Sequence, residues 1–352
     1  MYFAYFFTTF ILAILVTPVV HIVMRRLGVI DRPKTAERKI HKKPVPLGGG
    51  WVIFISFFVS LGIAVTSTHI FGYDIAKKQL VGLFIGSLIL MIGGMLDDKF
   101  NLKARYQLIF PIIAALTIIG FGVGPHQFTN PLGGGLDLSG YKISIDGLGN
   151  WFVIADTIVF LWLMGMMFTT KFLDGLDGLV TGIVGIGAII IYFLSRQPQW
   201  YQPEVAPTAI IFAGACLGFL VWNWHPAKIF LGQGGSLITG YILGVLAIIS
   251  CGKVATTLLV MGIPALDVLR VIIMRIKNKK SIFVGDDEHL HYRLIGSGLH
   301  HRQTVALFYT ISLVFGVSAL FLHSAYKLIA FMVLLVVMAV VGAWMTKNKT
   351  DK

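Results

Sequence analysis

Two pairs of aspartates are the residues in this sequence whose type and spacing most directly suggest chemistry. Asp97 and Asp98 are adjacent, and Asp174 and Asp177 lie three residues apart, the latter two each followed by glycine. Both pairs adjoin apolar runs, and a charge at the centre of a membrane helix costs about 2.5–3.5 kcal/mol. Adjacent carboxylates also raise each other's pKa unless a cation lies beside them. The pairs are therefore candidates for cation binding or for catalysis at a membrane surface.

The same aspartates also allow structural interpretations. Asp174 is a candidate N-cap of a helix that begins near Leu176, with Asp177 as its third residue, so that both would satisfy free backbone N–H groups. The adjacent pair is followed by Lys99, which is typical of a charged turn. Because capping and catalysis can coexist, the sequence leaves both interpretations open.

Two loops are candidate phosphate sites. Segment 25–47 is basic and turns through prolines and glycines, and its candidate substrate-binding residues are Arg38, Lys39 and His41. Attachment to anionic lipid explains the same charges equally well. Segment 223–236, NWHPAKIFLGQGGS, places glycines before an apolar run. Consecutive backbone N–H groups at such a helix start form an anion cradle, which makes Gly232 and Gly235 candidates as well.

A histidine-containing segment, SIFVGDDEHLHYRLIG, carries His289, His291 and Arg293. Histidines two residues apart share one side of an extended strand but diverge on a helix. A metal site and a solvated loop are both compatible with this pattern. Bonds from imidazole to phosphate oxygens fit a basic membrane surface better.

The composition indicates an integral membrane protein. Of the 352 residues, 56% are hydrophobic and only 13% are charged, so a water-soluble globule is excluded. The net charge of +13 suggests nucleic acid at first, but the basic residues lie in short loops between apolar runs, as anionic membrane lipid favours. We therefore expect no nucleic-acid partner. The two cysteines lack CxxC spacing, which argues against a disulfide framework and a zinc site.

Eleven apolar segments are long enough, or nearly so, to cross a bilayer. They are roughly 2–24, 48–66, 79–96, 106–123, 151–169, 177–195, 206–223, 235–251, 254–276, 303–323 and 326–346. The expected fold is all-α, a polytopic bundle of about 11 transmembrane helices in one integral membrane domain, residues 1–352. Segment 124–150 alternates polar and apolar residues around glycines and predicts a small external hairpin.

The distribution of lysine and arginine predicts the orientation. Of the 29 basic residues, 22 lie in one alternating set of loops and six in the other, with Arg270 inside a span. The richer set faces the cytoplasm, so the N-terminus is expected outside and the C-terminus inside. All the candidate residues above then lie on the cytoplasmic face. A transporter would instead be expected to place polar residues at the midplane of repeated, broken helices, and no such repeat is evident.

The motifs resemble those of a known family. GGMLDDKFNL, FLDGLDGLVTG, NWHPAKIFLGQGGSL and GDDEHLHYRL, preceded by DRPKTAERKIHKKPVPLGG, are similar in order and spacing to the polyprenyl-phosphate N-acetylhexosamine-1-phosphate transferases, over about residues 25–305. The resemblance implies a bacterial plasma-membrane enzyme of ten or eleven helices that uses Mg²⁺. Such an enzyme moves a sugar phosphate from a UDP-N-acetylhexosamine to undecaprenyl phosphate and releases UMP. The segment HLHYRL looks closer to the branch that uses UDP-GlcNAc-like sugars than to the peptidoglycan branch.

The resemblance also implies residue roles. Asp97 and Asp98 would lie next to the lipid phosphate, and Asp174 and Asp177 would line the nucleotide-sugar pocket. The positions that hold uridine or diphosphate would be Asn223, His289, His291 and Arg293, and Asp267 also falls on a family aspartate. Metal ligands would be Asp97, Asp98 and the residue at position 233.

Several positions depart from the family pattern. Lys171 stands where relatives usually have Asn, and Gln233 stands where they usually have a metal-binding Asp. The other departures are Phe168, Tyr292 and Asp287. One negative charge is thus lost and one positive charge gained where a divalent ion would bind. We hypothesise that Lys171 binds substrate by taking over part of the metal's task of neutralising the diphosphate. Capping of the preceding helix by Lys171 is the structural alternative.

The expected reaction is attack of the lipid phosphate oxygen on the sugar-linked phosphorus, with UMP leaving in line. A phosphate monoester with a second pKa of about 6 is already mostly dianionic at neutral pH, so positioning and charge neutralisation would supply most of the catalysis. The sequence does not distinguish single displacement from an aspartyl intermediate. The alternative functions are a catalytically weakened member that binds nucleotide sugar or polyprenyl phosphate, and a flippase. The oligomeric state is open, and a homodimer is one option.

Overall fold

The computed structural model describes residues 2–33, 43–67, 71, 77–124, 127–129, 135–138, 140, 142–145, 149–198, 201–250, 254–279 and 288–350. The fold is all-α apart from short strand pairs, as expected. The helices are α1 (Tyr2–Arg26), α2 (Gly49–Ser67), α3 (Lys77–Phe100), α4 (Ala104–Gln107), α5 (Ile109–Gly120), α6 (Val153–Leu173), α7 (Leu179–Ser195), α8 (Val205–Asn223), α9 (Gly232–Ile249), α10 (Val254–Val260), α11 (Gly262–Lys277), α12 (Leu290–Gly296), α13 (His301–Phe321) and α14 (Ser324–Thr350).

Seven of these helices are long and apolar enough to cross a membrane: α1, α2, α3, α6, α8, α9 and α13. The pair α10 and α11 is bent by 78° and makes an eighth if it counts as one span. Three further apolar segments, Ala104–Gly120, Leu179–Ser195 and Ala325–Val340, are shorter. A membrane protein with several spans is therefore confirmed, whereas the count of about 11 spans stays a prediction.

The outer surface of α1 shows how the bundle meets lipid. Phe3, Phe7, Ile11 and Leu15 recur every four residues, and each side chain is more than half exposed. Residues at this spacing form one stripe along a helix. An exposed apolar stripe of this length is favourable in a bilayer and unfavourable in water.

The interior is organised around α9, which is buried along nearly its whole length. It packs against α3 and α6, while α1 packs against α8 and α2. Glycines allow the closest approaches: a Cβ atom on Gly94 of α3 would meet the backbone of Gly234, and one on Gly50 of α2 would meet Gly235. The N-terminus of α9 is therefore held directly against α2 and α3.

Short antiparallel strand pairs complete the fold. β1 (Ile30–Asp31) pairs with β2 (Val45–Pro46), and Ile30 lies opposite Pro46. The region predicted as one hairpin contains two pairs: β3 (Gln127–Thr129) with β4 (Gly135–Asp137), and β5 (Lys142–Ile145) with β6 (Gly149–Phe152). The external location of these pairs stays a prediction.

Candidate active site

Asp97 connects the end of α3 to α4 and α6. Its Oδ1 atom accepts hydrogen bonds from the backbone N–H of Leu102 at 2.9 Å and from Nε2 of Gln107 at 3.0 Å. The other end of the same amide, Oε1 of Gln107, accepts a bond from Nζ of Lys171 at 2.9 Å. The Lys171 ammonium also attracts the carboxylates of Asp97 and Asp98 electrostatically. Lys171 of α6 is thus the cation beside the two adjacent carboxylates.

Asp98 faces the N-terminus of α9. Both of its carboxylate oxygens accept the backbone N–H of Gln233, at 3.2 and 3.1 Å. A negative charge at this end of a helix is favourable because it meets free N–H groups and the positive end of the helix dipole. The anion that binds the glycine turn is therefore the Asp98 side chain, at the place where the sequence predicted a phosphate. Gly232, with φ of +78°, and Gly235 make close protein contacts here, and their role as a phosphate cradle stays a prediction.

The structure excludes the capping interpretation of the second aspartate pair. The helix after this pair, α7, begins at Leu179 and has Gly178 as its N-cap, so it starts later than the expected position near Leu176. Asp174 instead follows the last residue of α6. Its side chain keeps contact with solvent, but the protein packed around the carboxyl group removes part of its hydration. This desolvation, together with the charges of Asp98 and Asp177, raises the pKa of Asp174 to about 8.

Asp177 and Asn223 tie the loop after α6 to the loop after α8. Oδ2 of Asp177 lies 2.6 Å from Nδ1 of His225 and accepts the backbone N–H of Ala227 at 3.1 Å. Asn223 accepts the N–H of Gly178 at 3.0 Å and donates to the carbonyl of Ile229 at 3.0 Å. The Asn223 amide therefore positions backbone in this structure, and its contact with substrate stays a prediction.

The histidine segment packs beside the same loop. His289 precedes α12 in an extended conformation, and its Nδ1 atom lies 2.9 Å from Oδ2 of Asp267. The ring of this extended residue lies nearly parallel to that of His291, with centroids 5.7 Å apart and planes at 8°. The ring of Phe172 also stacks on that of His289, with centroids 5.8 Å apart.

His291 is a buried, neutral imidazole. Burial, together with the nearby His289, lowers its pKa to about 3. Its Nε2 atom faces Gly175, where a side chain would collide with it, and has no hydrogen-bond partner within the described parts of the chain. Arg293 forms an ion pair with Glu288. Of the remaining predicted residues, Arg38, Lys39, His41 and Asp287 lie outside the described residues.

These contacts gather the candidate residues at one end of the bundle. Asp97, Asp98, Lys171 and Gln233 join the ends of α3, α6 and α9 directly. Asp174 lies within the electrostatic field of Asp98, and the glycine after it touches His291. The sequence motifs did not identify Gln107, His225 or His301. An Asn-Trp-His-Pro turn was visible, but the partner that gives its histidine a function lies 48 residues away.

Mg²⁺ fits the predicted ligands poorly. This ion prefers carboxylate oxygens and water in an octahedral arrangement. Three oxygens of the adjacent pair already accept N–H bonds, Lys171 supplies a positive charge, and Gln233 offers only a neutral amide oxygen. That oxygen is buried and has no partner among the residues that the structure describes. Within those residues the one group of three potential ligands close enough for a metal is Asp177, His225 and His301.

The chain is similar in sequence to known proteins of one family. The profile of glycosyl transferase family 4 matches residues 80–251. The probable undecaprenyl-phosphate N-acetylglucosaminyl 1-phosphate transferase of Bacillus subtilis is 30% identical over 328 residues, 91% of this chain and 84% of that protein. The decaprenyl-phosphate N-acetylglucosaminephosphotransferase of Mycobacterium tuberculosis is 28% identical over 86% of this chain and 78% of its own length. The phospho-N-acetylmuramoyl-pentapeptide-transferase of Halalkalibacterium halodurans is 29% identical over 90% and 95%.

Proposed function

The chain belongs to glycosyl transferase family 4, and from this premise we propose that it transfers a sugar 1-phosphate from a UDP-sugar to undecaprenyl phosphate. The sugar is GlcNAc or a related N-acetylhexosamine, UMP is released, and the product starts a cell-envelope polysaccharide. The observation that carries the proposal is the meeting of Asp97, Asp98 and Lys171 beside the Asp174 loop, at one end of an apolar bundle. A polyprenyl phosphate in the membrane and a soluble nucleotide sugar can both reach a site in this position.

The residues would act mainly through charge and position. In phosphoryl transfer the negative charge on the transferred group must be neutralised and the two reacting oxygens held in line. Lys171 is the cation that the structure places beside the carboxylates, and the N-terminus of α9 offers further positive potential. Asp97 and Asp98 keep Lys171 charged and oriented, and Gln107 fixes its direction.

The metal requirement is part of the proposal. Relatives of this family are expected to use Mg²⁺, whereas the contacts of Asp97, Asp98 and Gln233 favour a protein cation. We expect Lys171 to reduce the dependence on Mg²⁺, so that activity persists in part in excess EDTA. Complete loss in EDTA, restored fully by Mg²⁺, would contradict this assignment.

The placement in the cell follows from the charge distribution. The chain is proposed to be a single integral domain of a bacterial plasma membrane, with the site on the cytoplasmic face, where anionic lipid surrounds the basic loops. The packing of α1 against α8, from the two halves of the sequence, supports one domain.

A second candidate function is binding without turnover. The specific observation in its favour is that protein groups occupy the positions expected for the metal ion and for a substrate phosphate. Lys171 lies near Asp97, and Asp98 binds the N-terminus of α9. Purified protein with UDP-GlcNAc radiolabelled in the sugar and undecaprenyl phosphate separates the two functions. Label in the lipid fraction, abolished by Asp97→Asn, supports transfer. Nucleotide binding without labelled lipid, across a panel of UDP-sugars, would support the binding function instead.

A further inference from the structure

A cluster of Asp177, His225 and His301 lies beside the candidate site and has no role in the mechanism above. Asp177 contacts Nδ1 of His225 at 2.6 Å. The ring of His301 stacks on that of His225, with centroids 3.9 Å apart and planes at 17°. His301 also approaches the backbone carbonyl of Asp177 through Nε2, at 3.4 Å. The loops after α6 and α8 and the first residue of α13 therefore meet at one imidazole.

The geometry favours a hydrogen-bonded cluster over a metal centre. One potential ligand atom from each of the three residues lies within 4.8 Å of the others. A metal bound to imidazole lies in the plane of the ring, however, and the planes of these two stacked rings do not meet within the roughly 2 Å of a metal–nitrogen bond. The contact of 2.6 Å between Asp177 and His225 is short, as in hydrogen bonds to a charged partner.

His225 is held on several sides and open on one. Its Nδ1 atom is bonded to Asp177, and its ring face is covered by His301. Its backbone carbonyl accepts Nε and Nη2 of Arg302, at 3.1 and 2.7 Å. The side chain is nevertheless 38% exposed, which leaves the edge that carries Nε2 open to solvent. An imidazole that donates Nδ1–H to a carboxylate presents Nε2 in a defined direction, and in the imidazolium form Nε2 is a second donor.

The surroundings of this edge suit an anion. Arg302, in the first turn of α13, and Lys228, in the loop after α8, are exposed cations. Asp177 shares the loop after α6 with Asp174, whose neighbour Gly175 touches His291. The bond to Asp177 thus ties His225 to the loop that carries Asp174.

We propose that His225, with both ring nitrogens protonated, donates Nδ1–H to Asp177 and Nε2–H to phosphate oxygens of a substrate, and that Asp177 and His301 are positioning residues that hold this imidazolium. The inference rests on the proposed function. It gives Asp177, predicted from the sequence as a catalytic residue, an indirect role through His225. The phosphate belongs either to the nucleotide sugar or to the polyprenyl lipid, and the experiment below separates these sources.

Two substitutions of His225 separate its two nitrogens. In His225→Asn the amide nitrogen occupies the δ position, so the bond to Asp177 is kept and the ε nitrogen is lost. In His225→Gln an amide nitrogen occupies the ε position and the δ donor is lost. Binding of UDP and of undecaprenyl phosphate is measured separately, by titration calorimetry on full-length protein in detergent micelles, with the melting temperature as a check on folding.

We expect His225→Asn to melt like the wild type but to bind one of the two probes about tenfold more weakly, the loss expected for one hydrogen bond to a charged group. His225→Gln should keep more of that affinity. The probe that is weakened identifies the source of the phosphate. Wild-type binding of both probes by His225→Asn would overturn the inference and leave the proposed function intact.

Two other results would also overturn the inference. Binding of Co²⁺ by the wild type that is lost in both variants would identify a metal centre instead. If the wild type binds neither probe, the proposed function itself fails, and the role of His225 fails with it.

Discussion

At the residue scale, the position of Lys171 is the feature of the site with the clearest consequence. Its ammonium group is bonded to Gln107 and lies in the field of two carboxylates. In Lys171→Asn those carboxylates lose their cation, so we expect a lower melting temperature in EDTA and a recovery of several degrees when Mg²⁺ is added. Thermal unfolding in detergent with and without Mg²⁺ measures this.

The matched control is Lys103→Asn, which removes an exposed lysine from the loop after α3. It should show no response to Mg²⁺ beyond that of the wild type. An equal response of the two variants would show that Lys171 does not occupy the place of a metal.

A second prediction at this scale concerns the pH dependence of Asp174. Because its pKa is raised in the folded state, the stability associated with its protonated form is complete below the unfolded pKa and is lost as pH rises through the folded pKa. Asp174→Asn removes this loss. The variant should therefore melt close to the wild type at pH 5 and above it at pH 9. A difference in melting temperature that does not change with pH would contradict the raised pKa.

The acidic residues of the site could be found from the sequence because a carboxylate in apolar surroundings costs free energy and therefore indicates a functional role. Asp97, Asp98 and Asp174 were identified in this way, and they meet at one end of the bundle. Gln107 and His225 could not be found, because a neutral amide in an ordinary turn and a histidine before a proline carry no signal. Their significance comes from contacts with Lys171 and Asp177, 64 and 48 residues away.

At the scale of elements, the contact between α3 and α9 sets the position of Asp98. Gly94 of α3 lies against the backbone of Gly234, one turn before Asp98 meets the first N–H groups of α9. Gly94→Ala should push the two helices apart, destabilise the protein by about 1–3 kcal/mol and abolish transfer. Thermal unfolding and the transfer assay measure the two effects.

Gly62 of α2 provides the control, since nothing lies within 4 Å of the Cβ atom that alanine would add. Gly62→Ala should be neutral or more stable, by up to about 1 kcal/mol, because alanine favours a helix. If Gly94→Ala proved as stable and active as Gly62→Ala, the close packing of α3 on α9 would not be required.

The positions of the helices could be predicted from the apolar runs of the sequence, whereas the residues at which helices begin and end could not. The expected start of α7 near Leu176 was wrong by three residues, since the Asp-Gly-Leu-Asp-Gly loop continues to Gly178 before the helix begins. The loop is held by Asn223 and by Tyr309, whose hydroxyl donates to the carbonyl of Gly178 at 2.5 Å. Such long-range bonds override the local capping preference that the sequence displays.

At the scale of the whole molecule, an apolar bundle presents one polar end at which a lipid-linked phosphate and a nucleotide sugar can meet. From the asymmetry of lysine and arginine we propose that this end lies on the cytoplasmic side. The central claim is that the bond broken lies between the two phosphates of the UDP-sugar and that the sugar-linked phosphate moves to the lipid.

This claim is tested directly with purified protein, undecaprenyl phosphate and two preparations of UDP-GlcNAc. One preparation carries a radioactive phosphate next to the uridine, and the other carries it next to the sugar. The account predicts that the sugar-side label appears in the lipid and that the uridine-side label appears in UMP. Labelled lipid from the uridine-side preparation, or no labelled lipid from either preparation, would contradict it.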